Sequence, residues 1–274
     1  MKNISELIKE LRKRTGIGIL DCKNELKNTK GNIDLAIDNM RKKGKIKAFQ
    51  KSNIITKEGI ILIEFSNEKK IASIMEINCE TDFVSKSEIF KEFSKKIIKY
   101  SIEKKIFDIN KLKKKLENDI IELINRTGEN INIKRLNYIN LSKNDKISMY
   151  LHNNKIGVLL SYNNKLENID KSEFMKHICM HIAANNPKYF TKNDIPNSII
   201  DHEYKIQLNI AKKINKKDYV LKKIIEGRMK KFFEYICLDQ QNFLMDNTKK
   251  VISLLEENKI LINKFYRFEL GENI

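Results

Sequence analysis

The hydrophobic period of the chain changes near residue 59. Before it, apolar positions recur every three or four residues. Ile4, Leu7, Ile8 and Leu11 form one helical stripe that starts near Asn3 or Ser5 and is stopped by Gly16. A second short helix carries Leu20 to Leu26 and stops before Gly31. A third places Ile33, Ile37 and Met40 on one face and ends at Gly44. Helices this short bury little surface together, so residues 1–45 read as a small three-helix module whose exposed face meets a partner. The polar, basic, weakly periodic stretch 46–58 reads as a flexible linker.

From Gly59 the pattern is that of strands. Residues 59–65 and 70–77 are rich in Ile, with Ser66-Asn67-Glu68 as the turn of a hairpin. Helices are predicted over 88–100, with Phe90, Phe93, Ile97 and Ile98, and over 110–125, with Leu112, Leu116, Ile120 and Leu123. A strand over 130–140 follows. The order then recurs, with a hairpin over 148–152 and 156–162 and a helix over 171–184. Two rounds of hairpin and helix suggest related subdomains, 59–140 and 141–274, although the identity between rounds is too slight to establish a repeat. Beyond Pro196, charged helical stretches over 199–213 and 219–237, separated by Ile214-Asn215-Lys216-Lys217, predict an antiparallel helical hairpin. A helix over 249–258 and a strand over 260–269 finish the chain, and the fold class is α+β.

A length of 274 residues exceeds one small core and predicts two or three compact units. No apolar run approaches the roughly 18–20 residues that span a bilayer. The first ten residues alternate charge with apolar side chains and lack the apolar stretch of a secretory signal, so a cytoplasmic protein with no membrane partner is expected. Cys22, Cys79, Cys179 and Cys237 form no C-x-x-C pair, which predicts reduced thiols rather than a zinc site or a disulfide framework. The net charge of +18 invites a nucleic-acid partner. Against this, the lysines are spread over almost every segment, and the chain is also rich in Asn and Ile, residues with AT-rich codons. Compositional drift is therefore preferred to a dedicated RNA-binding face, and no specific nucleic acid is expected. Attraction to an acidic protein partner fits either account.

Candidate chemistry is sparse. Neither G-x-x-x-x-G-K-[ST] nor G-x-G-x-x-G can be matched, so no nucleotide of its own and no cofactor is expected. His177 and His181 share one face of a predicted helix, but Ile178 stands where H-E-x-x-H needs its glutamate, and Cys179 points away. Structural histidines and no metal are the expectation. No serine or cysteine sits in a nucleophile-elbow or papain-like setting, so catalytic residues are none and the chain is not expected to be an enzyme. The stretch E-I-N-C-E-T-D-F-V-S-K, residues 76–86, joins the first hairpin to a helix and puts Thr81, Asp82, Phe83 and Val84 at a corner. On residues alone two readings stand. Phe83 and Val84 open the helix core with Asp82 as N-cap, the commoner fate of an aromatic. Alternatively, an exposed aromatic beside a carboxylate inserts into a partner.

That stretch resembles a signature of bacterial elongation factor Ts, the nucleotide exchange factor of elongation factor Tu, and further matches follow in family order. L-R-K-R-T-G-I-G-I-L-D-C-K-N-E-L (11–26) resembles the N-terminal signature, and its G-I-G-I-L turn is similar to the loop of ubiquitin-associated-type three-helix domains. G-E-N-I-N-I-K-R (128–135), H-I-C-M-H-I-A-A (177–184) with Pro187, E-G-R-M-K-K-F (226–232) and R-F-E-L-G-E (267–272) also match. The resemblance implies a guanine nucleotide exchange factor that binds elongation factor Tu, GDP-bound or nucleotide-free, with a homodimer within the complex left open. It implies that Thr81, Asp82, Phe83 and Val84 wedge into the G domain and displace magnesium, loosening the phosphate-binding loop so that GDP leaves. Magnesium and backbone N–H groups hold a diphosphate by charge, so shifting them removes much of that hold. Reciprocity demands that GDP with magnesium weaken the exchange factor's grip by the same factor.

The resemblance also implies docking of the N-terminal module through Arg12, Ile19 and Leu20. Departures are visible. Ile19 and Leu20 replace a frequent methionine pair, Glu25 stands where alanine or valine is usual, and a C-terminal helical module found in many relatives is expected to be absent. Two other classes predict different patterns. An RNA-binding protein needs basic and aromatic residues gathered on one face, and a metal hydrolase needs further ligands beside His177 and His181.

Overall fold

Side-chain caps set the starts of the first and third helices. Asn3 and Glu6 form a reciprocal capping box at α1 (Ile4–Thr15), which Gly16 ends in the left-handed region at φ 68°. This computed structural model describes residues 3–164, 170–212 and 218–272. Helix α2 (Ile19–Asn28) follows, and Asn32 caps α3 (Ile33–Lys51). Leu11, Cys22, Leu26, Ala36 and Met40 form the small core of these three helices. The unexpected Glu25 is buried there, and its carboxylate accepts hydrogen bonds from Lys43 and from Asn39 at 3.0 Å. The Lys43 ammonium holds it below the usual carboxylate range.

Helix α3 does not end at Gly44 but runs through it to Lys51, so the first residues of the expected 46–58 linker are helical. The chain divides by contacts into two units. The three helices share the first unit, Met1–Asn140 with Leu151–Gly157 and Phe268–Ile274, and α3 packs there against a later helix, α7.

Strand β1 (Glu58–Phe65) pairs antiparallel with β2 (Ile71–Cys79), with Glu58 opposite Cys79 and Phe65 opposite Ala72. After a single turn of helix, α4 (Asp82–Lys86), come α5 (Glu88–Lys104), α6 (Ile109–Lys115) and α7 (Glu117–Thr127). The one helix expected over 110–125 is thus two. The break at Leu116 lets α6 lie along β3 (Asn132–Asn140) while α7 meets α3. The sheet order is β1-β2-β3, and the central β2 is buried along nearly its whole length. A strand covered on both faces carries apolar residues on both, and in β2 these are interrupted by Ser73, Glu76 and Asn78, which are buried with them. Phe90, Ile97, Ile98 and Ile102 of α5 pack on this sheet with Leu112, Leu116 and Leu123.

The second unit, Leu141–Tyr150 with Val158–Arg267, repeats the arrangement. Strands β4 (Asp145–His152) and β5 (Ile156–Asn164) form the hairpin, followed by α8 (Ser172–Asn185). Helices α9 (Asn197–Lys212) and α10 (Asp218–Ile236) pack together through Ala211, Ile225 and Met229. The turn expected at 214–217 lies outside the described residues. A small hairpin absent from the sequence expectation, β6 (Asn242–Phe243) with β7 (Asp246–Lys250), precedes α11 (Val251–Glu257) and β8 (Ile260–Glu269). The sheet order is β4-β5-β8, so the second strand of the hairpin is again central.

Candidate functional site

The corner after β2 is built on paired carboxylates. Glu129 follows Gly128, the left-handed cap of α7, and accepts from the Glu80 N–H and the Thr81 N–H, both at 3.0 Å, and from the Thr81 hydroxyl at 2.5 Å. In return the Glu80 carboxylate accepts from the Asn130 N–H at 2.6 Å and from Lys51 at 3.0 Å. Burial works against the charged form of Glu80, but those two donors outweigh it and hold its pKa down. The Asn130 amide donates to the Ile54 carbonyl at 2.8 Å, tying in the chain beyond α3. Two loops about fifty residues apart therefore satisfy each other's backbone groups, and the corner has a fixed base.

On that base stands α4. Thr81, not Asp82, is its N-cap, accepting from the Val84 N–H at 3.4 Å. Asp82 is the first helical residue and pairs with Lys86 at 2.6 Å, which lowers its pKa. Ser87 closes α4 and caps α5, accepting from the Phe90 N–H. The two apolar residues of the corner go different ways. Val84 packs against the core under the first sheet, whereas Phe83 is 83% exposed. The core reading of the corner therefore holds for Val84 and fails for Phe83. A single helical turn between two caps has one inward side, and Val84 and Ser85 occupy it.

The arrangement presents an aromatic ring and a carboxylate together on a base fixed by its own hydrogen bonds. Cys79, just beneath, is buried, and burial pushes its thiol up to about 12. Glu129 was not singled out by sequence reasoning. Its signal lies in the unpaired N–H groups that any sharp strand-to-helix corner leaves, which demand an acceptor from elsewhere.

The other expected docking residues lie on the three-helix module. Ile19 and Leu20 open α2 directly after the Gly16–Gly18 turn and are 55% and 69% exposed. Arg12 is exposed one turn before Gly16, whose N–H donates to the Arg12 carbonyl. Ile17, between them, turns inward against Leu11 and Cys22.

The histidine pair is split. His177 is half-buried, while His181 is fully buried. The Leu244 N–H donates to His181 Nδ1 at 3.1 Å, so Nε2 carries the proton and donates to Gln241 Oε1 at 2.9 Å. Both ring nitrogens are thereby engaged in joining α8 to the β6–β7 hairpin. Among the described residues no cluster of metal-ligating side chains occurs, and no helix is long and apolar enough to cross a membrane.

Burial lowers the His181 pKa below its ordinary 6.5. A depressed pKa means that the unfolded chain takes up a proton the folded one refuses. Stability is thus full above about pH 6.5 and lost as pH falls toward the folded value. Denaturant melts at a series of acid pH values should show the unfolding free energy declining below about pH 6.5, with a slope from this group of up to about 1.4 kcal/mol per pH unit. A His181→Gln variant should lack that component. An identical acid profile in the variant would show that His181 is not its source.

A family model described as "Elongation factor TS" matches residues 80–272, from the base of the Phe83 corner to the end of the described chain. The chain is 46% identical over 266 residues to "Elongation factor Ts" of Baumannia cicadellinicola subsp. Homalodisca coagulata, covering 97% of this chain and 93% of that relative. It is 46% identical over 270 residues to "Elongation factor Ts" of Blochmanniella pennsylvanica (strain BPEN), covering 98% and 97%. It is 42% identical over 268 residues to that of Photorhabdus laumondii subsp. laumondii, covering 98% and 92%. Similarity of this depth and extent takes in both units and the α4 corner. The chain belongs to the elongation factor Ts family of translation elongation factors.

Proposed function

We propose that this protein promotes GDP release from elongation factor Tu, with Asp82 and Phe83 as the wedge that enters the G domain and displaces magnesium. The observation that carries the reading is the 83% exposure of Phe83 on a corner anchored by Glu129 and Thr81. A ring left in water next to a well-packed core has its favourable burial still to gain, and a partner crevice supplies it. A carboxylate carried in with it opposes the anionic ligands that hold magnesium. The ring contributes by apolar burial and the carboxylate by charge, so diphosphate binding is weakened without any covalent bond made or broken. The experiment is release of labelled GDP from elongation factor Tu with and without this protein. A many-fold acceleration is expected, and an unchanged rate at saturating protein would exclude the function.

In the same reading Arg12, Ile19 and Leu20 dock the module on the G domain. Exposed aliphatic residues beside a tight turn recover their transfer free energy only when covered. Joint replacement of Ile19 and Leu20 by serine should cost about 2 kcal/mol or more of binding, roughly thirtyfold in Kd. The melting temperature should barely change, because neither side chain belongs to the core of the three helices. Calorimetric titration with elongation factor Tu measures this, and equal affinity in the double variant would remove the docking role.

A further inference from the structure

Gly44 stands in the middle of α3 and is buried, although glycine is among the least favoured residues of a helix interior. The reason lies on α7. A Cβ at position 44 would come within 2.0 Å of Asn125 Nδ2 and 2.8 Å of its Cγ. The next residue of α7 behaves likewise, since a Cβ on Gly16 would lie 2.5 Å from Arg126 Nε. Successive side chains of α7 thus rest on two glycines from different parts of the three-helix module. The seat is narrow. Beside it a cleft of about 540 Å³, lined by Arg14, Ile17, Met40, Arg41 and Lys45 among others, stays open between the two surfaces.

Each side of this contact leads within a few residues to an element of the exchange reading. Gly16 is followed by the turn that presents Ile19 and Leu20. Asn125 and Arg126 are followed by Gly128 and by Glu129, which grips Glu80 and Thr81 at the base of the Phe83 corner. We propose that Gly44 and Asn125 are positioning residues whose contact sets the spacing between the Ile19–Leu20 surface and the Asp82–Phe83 corner, so that both engage one elongation factor Tu at once. This rests on the exchange reading. Two contact surfaces held at the right span bind as a chelate, and the second contact is made at high effective concentration. A module displaced from its seat forfeits that gain without altering either surface.

The test measures GDP release from elongation factor Tu against concentration of the full chain. Gly44→Ala favours α3 as a helix, so helix content should be kept, while the overpacked contact with Asn125 lowers the melting temperature without unfolding the protein. The concentration for half-maximal stimulation should rise roughly tenfold, while the rate at saturation is kept because Phe83 is untouched. Gly44→Ala/Asn125→Ala removes the amide that the new methyl would strike and should return the half-maximal concentration to that of Asn125→Ala alone. In an Ile19→Ser/Leu20→Ser background, Gly44→Ala should add nothing, since its effect passes through that surface. Three results would overturn the proposal: a Gly44→Ala curve identical to the parent, a defect that Asn125→Ala does not relieve, or a full defect in the Ile19/Leu20 background. A parent protein that fails to accelerate GDP release would overturn the exchange reading, and this one with it.

Discussion

Phe83→Ala should leave the stability of the protein within about 0.5 kcal/mol of the parent while cutting stimulated GDP release by roughly ten- to a hundredfold. The first half follows from exposure. A ring that is 83% accessible makes few intramolecular contacts, and the neighbours that hold the corner are Val84, Thr81, Glu129 and Ser87. A core phenylalanine would instead cost roughly 3–5 kcal/mol on truncation. The second half follows from the same exposure read from the partner's side. A ring buried only in the complex contributes about 1–3 kcal/mol at the centre of a well-packed interface. Asp82→Ala should show a milder exchange defect and little change in stability, the latter because its pairing with Lys86 is at the surface and worth little to the fold. The measurements are a thermal melt and a GDP-release curve on the same preparations. Extensive unfolding of Phe83→Ala, or full exchange activity, would refute the wedge assignment.

Most secondary elements were legible because period and apolar content agree in them. The apolar runs of β2 and β5 mark strands at the centres of sheets, and the stripe Phe90, Ile97, Ile98 marks the face of α5. What was not legible depends on partners distant in the chain. Gly44 ends a helix by the local rule, yet the approach of Asn125 makes glycine the residue that fits mid-helix. Leu116 continues the apolar stripe of its predicted helix, and only the separate partners of α6 and α7 explain the break. Strand β7, Asp-Asn-Thr-Lys-Lys, has no apolar alternation at all and is held by pairing with β6. At the corner, Thr81 and Asp82 are both competent N-caps by type. Glu129, 48 residues away, decides between them by gripping the Thr81 backbone and hydroxyl.

The matched motifs outside the corner also acquire a physical reason, which yields the second large prediction. Glu76, buried in the middle of β2, lies opposite Arg135 of β3 and accepts from its Nε at 2.7 Å. The other carboxylate oxygen accepts from Asn78 Nδ2 at 3.0 Å and from the Gly271 N–H at 3.1 Å. The guanidinium continues outward, donating to the Glu269 carbonyl at 2.7 Å and to the Glu272 carboxylate at 3.2 Å, and it stacks 4.1 Å over the Phe268 ring. One charge pair thus clamps the end of the described chain to the first sheet, three residues before the Cys79 that ends β2. Arg135→Met should destabilise the protein by about 3–5 kcal/mol, because it strands the Glu76 carboxylate in the interior with Lys134 at 3.8 Å as the nearest remaining cation. The cost belongs to the unpaired charge rather than to the lost contact. Replacing both partners, Glu76→Met with Arg135→Met, should therefore recover most of the loss, as apolar replacements of buried pairs commonly do. Denaturant melts of the two single variants and the double variant measure the coupling. A double variant no more stable than Arg135→Met would show that the clamp acts through its hydrogen bonds to residues 269–272 and not through the charge of Glu76.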